Sequence, residues 1–130
     1  MLLPVTLSAS AAAAIIAFWL MIRVGQVRGS EKVSIGDGGN EKVIRRMRAH
    51  ANFVESAPFV LILVAAIEMT GKGAPWLAYV AGIYMLGRVA HGIGMDGAGF
   101  KQGRAIGTII TVLTLLGLAI AATLITLGVI

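Results

Sequence analysis

Long apolar segments restrict this chain to very few folds. No charged side chain lies between Met1 and Arg23, and further apolar stretches cover about 57–67, 74–95 and 105–130. A helix needs about 20 mainly apolar residues to cross a bilayer, and each segment reaches this length when polar residues at the ends of the second and third are included. Because lipid offers no hydrogen bonds to an open backbone, the sequence predicts an all-α, integral membrane four-helix bundle.

Composition agrees with a membrane setting. The chain has 130 residues, of which 58% are hydrophobic and 13% are charged, whereas soluble domains have about 25% charged residues. The absence of cysteine excludes disulfides, thiolate metal sites and a protein thiol nucleophile. Two histidines without a matching ligand set predict no metal site. We expect one domain over 1–130, with helices at about 5–25, 41–70, 74–95 and 104–129.

The basic residues predict how the helices cross the membrane. The first link is predicted to be a long polar loop from Arg23 to Asn40. This link and its flanks contain seven of the cations. The third link contains Lys101 and Arg104, whereas the second contains only Lys72. Since basic links stay in the cytoplasm, we expect both basic links to be cytoplasmic and both termini to lie on the opposite side. The first helix lacks a basic n-region and is interpreted as membrane-spanning, not as a cleaved signal.

A polar stripe marks the start of the second helix. Arg48, Asn52 and Glu55 are spaced i, i+4 and i+7, so they share one helix face. Basic residues at helix ends commonly anchor to lipid headgroups, but a carboxylate about two turns inside the membrane is costly and indicates a site. The stripe therefore predicts a binding site for a small charged molecule. Glu68, at the far end of the same helix, is expected to be solvated.

A second polar stripe lies on the third helix. Arg88 and His91 fall within an arc of about 60° together with Tyr84 and Met95. The predicted topology brings Arg23 and Arg104 to the same depth, so residues from all four helices are expected to meet.

Three other patterns do not indicate separate functions. The G-x-G-x-x-G run from Gly92 to Gly97 follows a membrane helix instead of a strand, so we interpret it as a loop. The spacing of Gly103 and Gly107 suits close helix packing. The basic residues have no interleaved aromatic residues, so they favour lipid headgroups over nucleic acid.

The same motifs resemble a known family. The run from Arg48 to Pro58, followed by an apolar segment, resembles the signature of the MAPEG family, the membrane-associated proteins in eicosanoid and glutathione metabolism. The run from Gly87 to His91 and Arg104, thirteen residues later, are similar to the second and third elements of the family. The resemblance covers nearly the whole chain and indicates a bacterial-type member, in an inner membrane.

The resemblance implies a homotrimer that binds glutathione between adjacent subunits and conjugates or reduces lipophilic electrophiles. It assigns glutathione binding to Arg48, Asn52, Glu55, Arg88, His91 and, with looser spacing, Arg23. It assigns thiol activation to Arg104 as the catalytic residue. The implied partners are membrane lipids and a hydrophobic small-molecule substrate.

The sequence also departs from the family pattern. Met95 stands where family enzymes usually have a tyrosine, Ala105 has no hydroxyl, and Ser56 replaces a tyrosine found in some members. Three hypotheses follow: a glutathione transferase or peroxidase, a non-catalytic member that binds a lipid or anionic metabolite in the same pocket, and a small transporter. A transporter is disfavoured because helices one, three and four have no central acidic residue.

Overall fold

The protein is an all-α bundle of four helices. A computed structural model describes all residues 1–130 and contains α1 (Pro4–Glu31), α2 (Glu41–Met69), α3 (Ala74–Gly94) and α4 (Gln102–Thr126). Three of them, α1, α2 and α4, are long and apolar enough to cross a membrane. The all-α, four-helix prediction is confirmed, although three helices, not all four, meet the length and apolarity that a membrane span needs.

The two middle helices form the centre of the bundle. Both α2 and α3 contact every other helix, whereas α1 and α4 do not contact each other. The core between them is apolar, and its most deeply buried members include Val60, Val64, Leu77, Tyr84 and Leu118. A polar side chain of α2 or α3 that points inward is therefore enclosed by the other helices.

The first helix is longer than predicted. It continues to Glu31 and ends where Lys32 adopts a left-handed conformation (φ 57°), with its N–H donating to the carbonyl of Arg28. The predicted loop is therefore wrong over 26–31, which are helical, and only 32–40 connect α1 to α2. The extension is stabilised by burial of Val27 and by Glu31, which accepts a hydrogen bond from Asn40 at 3.1 Å.

Glu68 is half-buried and bonded to α1, whereas the sequence-based expectation was a side chain that is only solvated. Its carboxylate accepts hydrogen bonds from the N–H groups of Val5 (2.8 Å) and Thr6 (2.7 Å) and from the Thr6 hydroxyl (2.6 Å). The α1 N-terminus has no capping side chain of its own, and an anion at this end satisfies free N–H groups and favours the helix dipole. Glu68 therefore joins the end of α2 to the start of α1.

Glycines bring α3 and α4 into backbone contact. A Cβ at Gly107 would lie 2.4 Å from the carbonyl oxygen of Gly87, and one at Gly103 would lie 2.2 Å from the carbonyl oxygen of Ala90. No side chain larger than hydrogen fits at these distances. The close packing predicted for Gly103 and Gly107 is confirmed, and it holds the polar residues of α3 against α4.

Candidate functional site

A buried arginine is the centre of the polar interior. Arg88 is only 1% exposed. Its guanidinium donates to the Asn52 Oδ1 atom at 2.6 Å and to the Thr111 hydroxyl at 2.9 Å. A longer contact of 3.4 Å joins it to Nδ1 of His91. Its Nε atom has no partner, and no carboxylate forms an ion pair with it.

Three helices contribute side chains to this cluster, and the packing of the bundle holds these side chains together. Asn52 extends from α2, Arg88 and His91 from α3, and Thr111 from α4. The structure thus brings together three of the residues that the sequence predicted for the site. Thr111 was not predicted. The signal that would have found it is its place in a stripe of small and hydroxyl residues, with Gly107 one turn earlier, buried along α4.

Other predicted site residues lie on the outer surface. Arg48 and Glu55 are exposed on α2, and Arg104 is exposed in the first turn of α4. None of these three side chains forms an ion pair within the chain. A single chain therefore leaves these charges without partners, next to helices that suit a membrane.

Arg23 has a different setting from the one predicted. Its guanidinium forms an ion pair with Asp96, donates to the carbonyl oxygen of Gly92 at 3.3 Å and lies 4.9 Å from the ring centre of Trp19. Its hydrogen bonds and its ion pair go to Gly92 and Asp96, and none goes to a side chain of the cluster around Arg88. The structure therefore places Arg23 in a separate ion-pair group.

Asp96 is the acidic member of that group. It also accepts from Nε of Arg46 at 3.3 Å, and Arg46 donates to the carbonyl oxygen of Arg23 at 3.0 Å. Asp96 therefore joins α1 and α2 to the link that follows α3. Sequence reasoning missed this role because Asp96 lies within the Gly92–Gly97 pattern, which covers the last turn of α3 and the turn after it. The signal was that Asp96 is the only acidic residue in a basic link.

A polar cavity lies beside this ion-pair group, but it does not include the predicted site. Its volume is about 410 Å³, and its lining residues are Gln26, Val27, Ser30, Glu31, Lys42, Arg45, Arg46 and Asp96. Every cation in the lining already has an acidic partner: Lys42 with Glu31, Arg45 with Glu41, and Arg46 with Asp96. The unpaired charges on α2 and α4 are the better candidates for binding a charged ligand.

Two hydroxyl groups that could support thiol activation, one in the core and one on the surface of α4, are already engaged. Tyr84 is fully buried, and its hydroxyl lies 2.7 Å from that of Ser56. The Thr108 hydroxyl donates to the carbonyl oxygen of Arg104 at 2.8 Å. Tyr84 therefore cannot supply the hydroxyl that is missing at Met95.

Comparison with known proteins gives a match over most of the chain. The model of the family described as MAPEG family matches residues 6–124. Two curated relatives are each called inner membrane protein YecN, one from Escherichia coli strain K12 and one from Escherichia coli O6:H1. Each is 32% identical over 83 residues, which is 63% of this chain and 63% of the relative. The aligned part thus spans less than two thirds of these relatives.

Proposed function

Because the chain belongs to the MAPEG family, as the match over 6–124 shows, we propose that this membrane protein is a glutathione transferase or peroxidase acting on lipophilic electrophiles. The observation that supports this most is the outer face of α2. There Arg48 and Glu55 lie exposed and unpaired, with Asn52 between them and bonded to Arg88. This face offers both charge signs to a zwitterionic ligand.

The same unpaired charges support a homotrimer. A charged side chain facing lipid costs about 2.5–3.5 kcal/mol on insertion scales. A neighbouring copy that covers Arg48 and Glu55 removes them from lipid and creates an enclosed site at the interface. We therefore propose three copies, with glutathione bound between adjacent ones.

The residue types suit glutathione, which has two carboxylates and one ammonium group. Arg48 would bind a carboxylate through paired, charge-assisted hydrogen bonds, and Glu55 would accept from the ammonium group. Asn52 adds a neutral polar group between them. Glutathione binding is therefore assigned to this α2 face, with residues of a second copy completing it.

Arg104 is the proposed catalytic residue. It lies in the first turn of α4, where the helix dipole also favours an anion. The guanidinium of Arg104 and the helix dipole would together lower the pKa of a bound thiol from about 8.5. Bound glutathione supplies the thiolate sulfur, which bonds to an electrophilic carbon as the leaving group departs with its bonding electrons. With a hydroperoxide, the sulfur bonds to the terminal oxygen, the O–O bond breaks and an alkoxide leaves, which takes up the proton released by the thiol to become an alcohol. A second glutathione then converts the sulfenic acid to disulfide and water.

We also propose a location and an orientation. The links over 32–40 and 95–101 are flanked by most of the basic residues, so they would lie in the cytoplasm. Both termini would lie on the other side. The relatives named as inner membrane proteins support a bacterial inner membrane.

A second candidate is a non-catalytic protein that binds a lipid or anionic metabolite at the same place. The engaged hydroxyl groups favour it, since Tyr84 bonds Ser56 and Thr108 bonds a backbone carbonyl. Arg104 would then have no free hydroxyl nearby to share thiol activation. For the same reason we expect slow turnover even if the protein is an enzyme.

One set of measurements separates these candidates. Purified protein is tested for glutathione binding, for the ultraviolet absorbance of the thiolate and for turnover of a lipophilic electrophile. Arg104→Ala should keep most of the affinity but lose the thiolate signal and the turnover. Lys101→Ala, which removes an exposed cation of the same link, is the control and should keep both.

Each alternative result has a distinct meaning. Binding without thiolate or turnover in the native protein supports the non-catalytic candidate. Full turnover in Arg104→Ala shows that the arginine assignment is wrong. A mass in detergent that corresponds to one chain contradicts the interface site.

A further inference from the structure

Arg88 is buried too deeply to contact a ligand in this structure. It is 1% exposed, and its two η nitrogens donate to Asn52 at 2.6 Å and to Thr111 at 2.9 Å. Asn52, in contrast, is only partly buried and shares the α2 face of Arg48 and Glu55. Arg88, which lies behind the α2 face, is therefore in direct contact with Asn52, which belongs to that face.

This contact determines the orientation of the Asn52 amide. An arginine has five N–H donors and no acceptor, so the amide atom 2.6 Å from Arg88 must be the oxygen. The amide nitrogen then points away from Arg88. It makes no hydrogen bond within the chain and is not among the buried polar atoms that lack a partner. An N–H donor is thus left accessible.

We propose that Arg88 is a positioning residue that holds the oxygen of Asn52 inward, so that the ligand site meets an amide N–H donor. Without such a partner, the side-chain amide can rotate by about 180° and present either its oxygen or its nitrogen to the site. The identity of the ligand rests on the proposed function: glutathione has carboxylates and peptide carbonyls that would accept from this N–H.

Fold stability and ligand binding make opposite demands at position 52. Arg88 has no acidic partner, so an aspartate at 52 would give it a bond in which both donor and acceptor are ionised, stronger than the present bond to a neutral amide. The second oxygen of that aspartate would face the site as an acceptor in place of the donor. Replacing the amide group at position 52 by a carboxylate can therefore separate the effect on stability from the effect on ligand binding.

The test compares Asn52→Asp with Asn52→Leu. Without ligand, Asn52→Asp should unfold at the native temperature or above it, whereas Asn52→Leu should unfold at a lower temperature because it leaves a buried donor unsatisfied. Glutathione affinity of Asn52→Asp should fall at least about tenfold. Asn40→Asp is the matched control for glutathione affinity, since Asn40 lies at the start of α2, where aspartate keeps the cap made through Oδ1. The lost hydrogen bond to Glu31 lowers the stability of this variant, but its affinity should stay native.

The proposal is overturned if Asn52→Asp unfolds no higher than Asn52→Leu, or if it binds glutathione within about twofold of native, a difference of only about 0.4 kcal/mol. A purely structural role for Arg88 predicts that stability and affinity change together, so their separation is the deciding result. If the native protein does not bind glutathione, the proposed function fails. The stability comparison still decides whether Arg88 holds an acceptor at position 52.

Discussion

Replacement of Gly107 by alanine should separate α3 from α4. The added Cβ would lie 2.4 Å from the carbonyl oxygen of Gly87 and 2.4 Å from Cβ of His91, whereas ordinary contact begins at 3.4 Å. A shift of about 1 Å would stretch the Arg88–Thr111 bond from 2.9 Å beyond hydrogen-bonding range. Overpacking costs about 1–3 kcal/mol, and loss of a bond to a charged group costs about 1.5–3 kcal/mol. Because alanine returns about 1 kcal/mol of helix propensity, we expect a net loss of about 1.5–5 kcal/mol.

The matched control is Gly117→Ala on the same helix. A Cβ there would meet nothing within 4 Å, so stability should be unchanged or higher by up to about 1 kcal/mol. Both variants are unfolded by titration with a denaturing detergent, and their free energies of unfolding are compared. Equal stability of the two variants would refute the argument that backbone contact at Gly107 holds α3 against α4.

Two further predictions concern carboxylates whose roles the structure defined. Glu68→Gln should lower the thermal stability of the ligand-free protein more than Glu55→Gln does. Glu68 accepts three hydrogen bonds from the start of α1, whereas Glu55 has no partner within the chain. An equal melting temperature of the two variants would contradict this. Asp96→Asn should reduce the free energy of unfolding by about 1 kcal/mol, because Arg23 and Arg46 lose their shared anion. If high salt does not diminish this loss of stability, its cause is not electrostatic.

The roles of Glu55 and Glu68 reverse part of the sequence-based expectation. The sequence predicted that Glu55 would matter more than Glu68 for folding or binding, because Glu55 belongs to the polar stripe and lies about two turns inside the membrane helix. In the single chain, however, it is Glu68 that has a structural role. Under the proposed function a second copy or a ligand would pair with Glu55, so the effect of Glu55→Gln is expected in glutathione affinity and in assembly.

Much of the fold follows from local features of the sequence. The apolar segments predicted the number of helices and placed most of their ends within a few residues, because helix formation and membrane crossing depend on neighbouring residues. The spacing of Arg48, Asn52 and Glu55 likewise placed them on one face of α2. The end of α1 was misplaced because polar composition after Arg23 was interpreted as a loop, although a helix can continue beyond the membrane.

Only the tertiary structure decided which polar residues are partners. Asn52 and Arg88 are 36 residues apart, Val5 and Glu68 are 63 apart, and Arg23 and Asp96 are 73 apart. Periodicity along one helix gives the face of a side chain but not the atom opposite it. Helix packing enclosed Arg88, engaged Arg23 and left Arg48 and Glu55 unpaired. The reason is physical: in a bundle, the distance between facing helices depends on the smallest residues at their contact, here the glycines of α3 and α4.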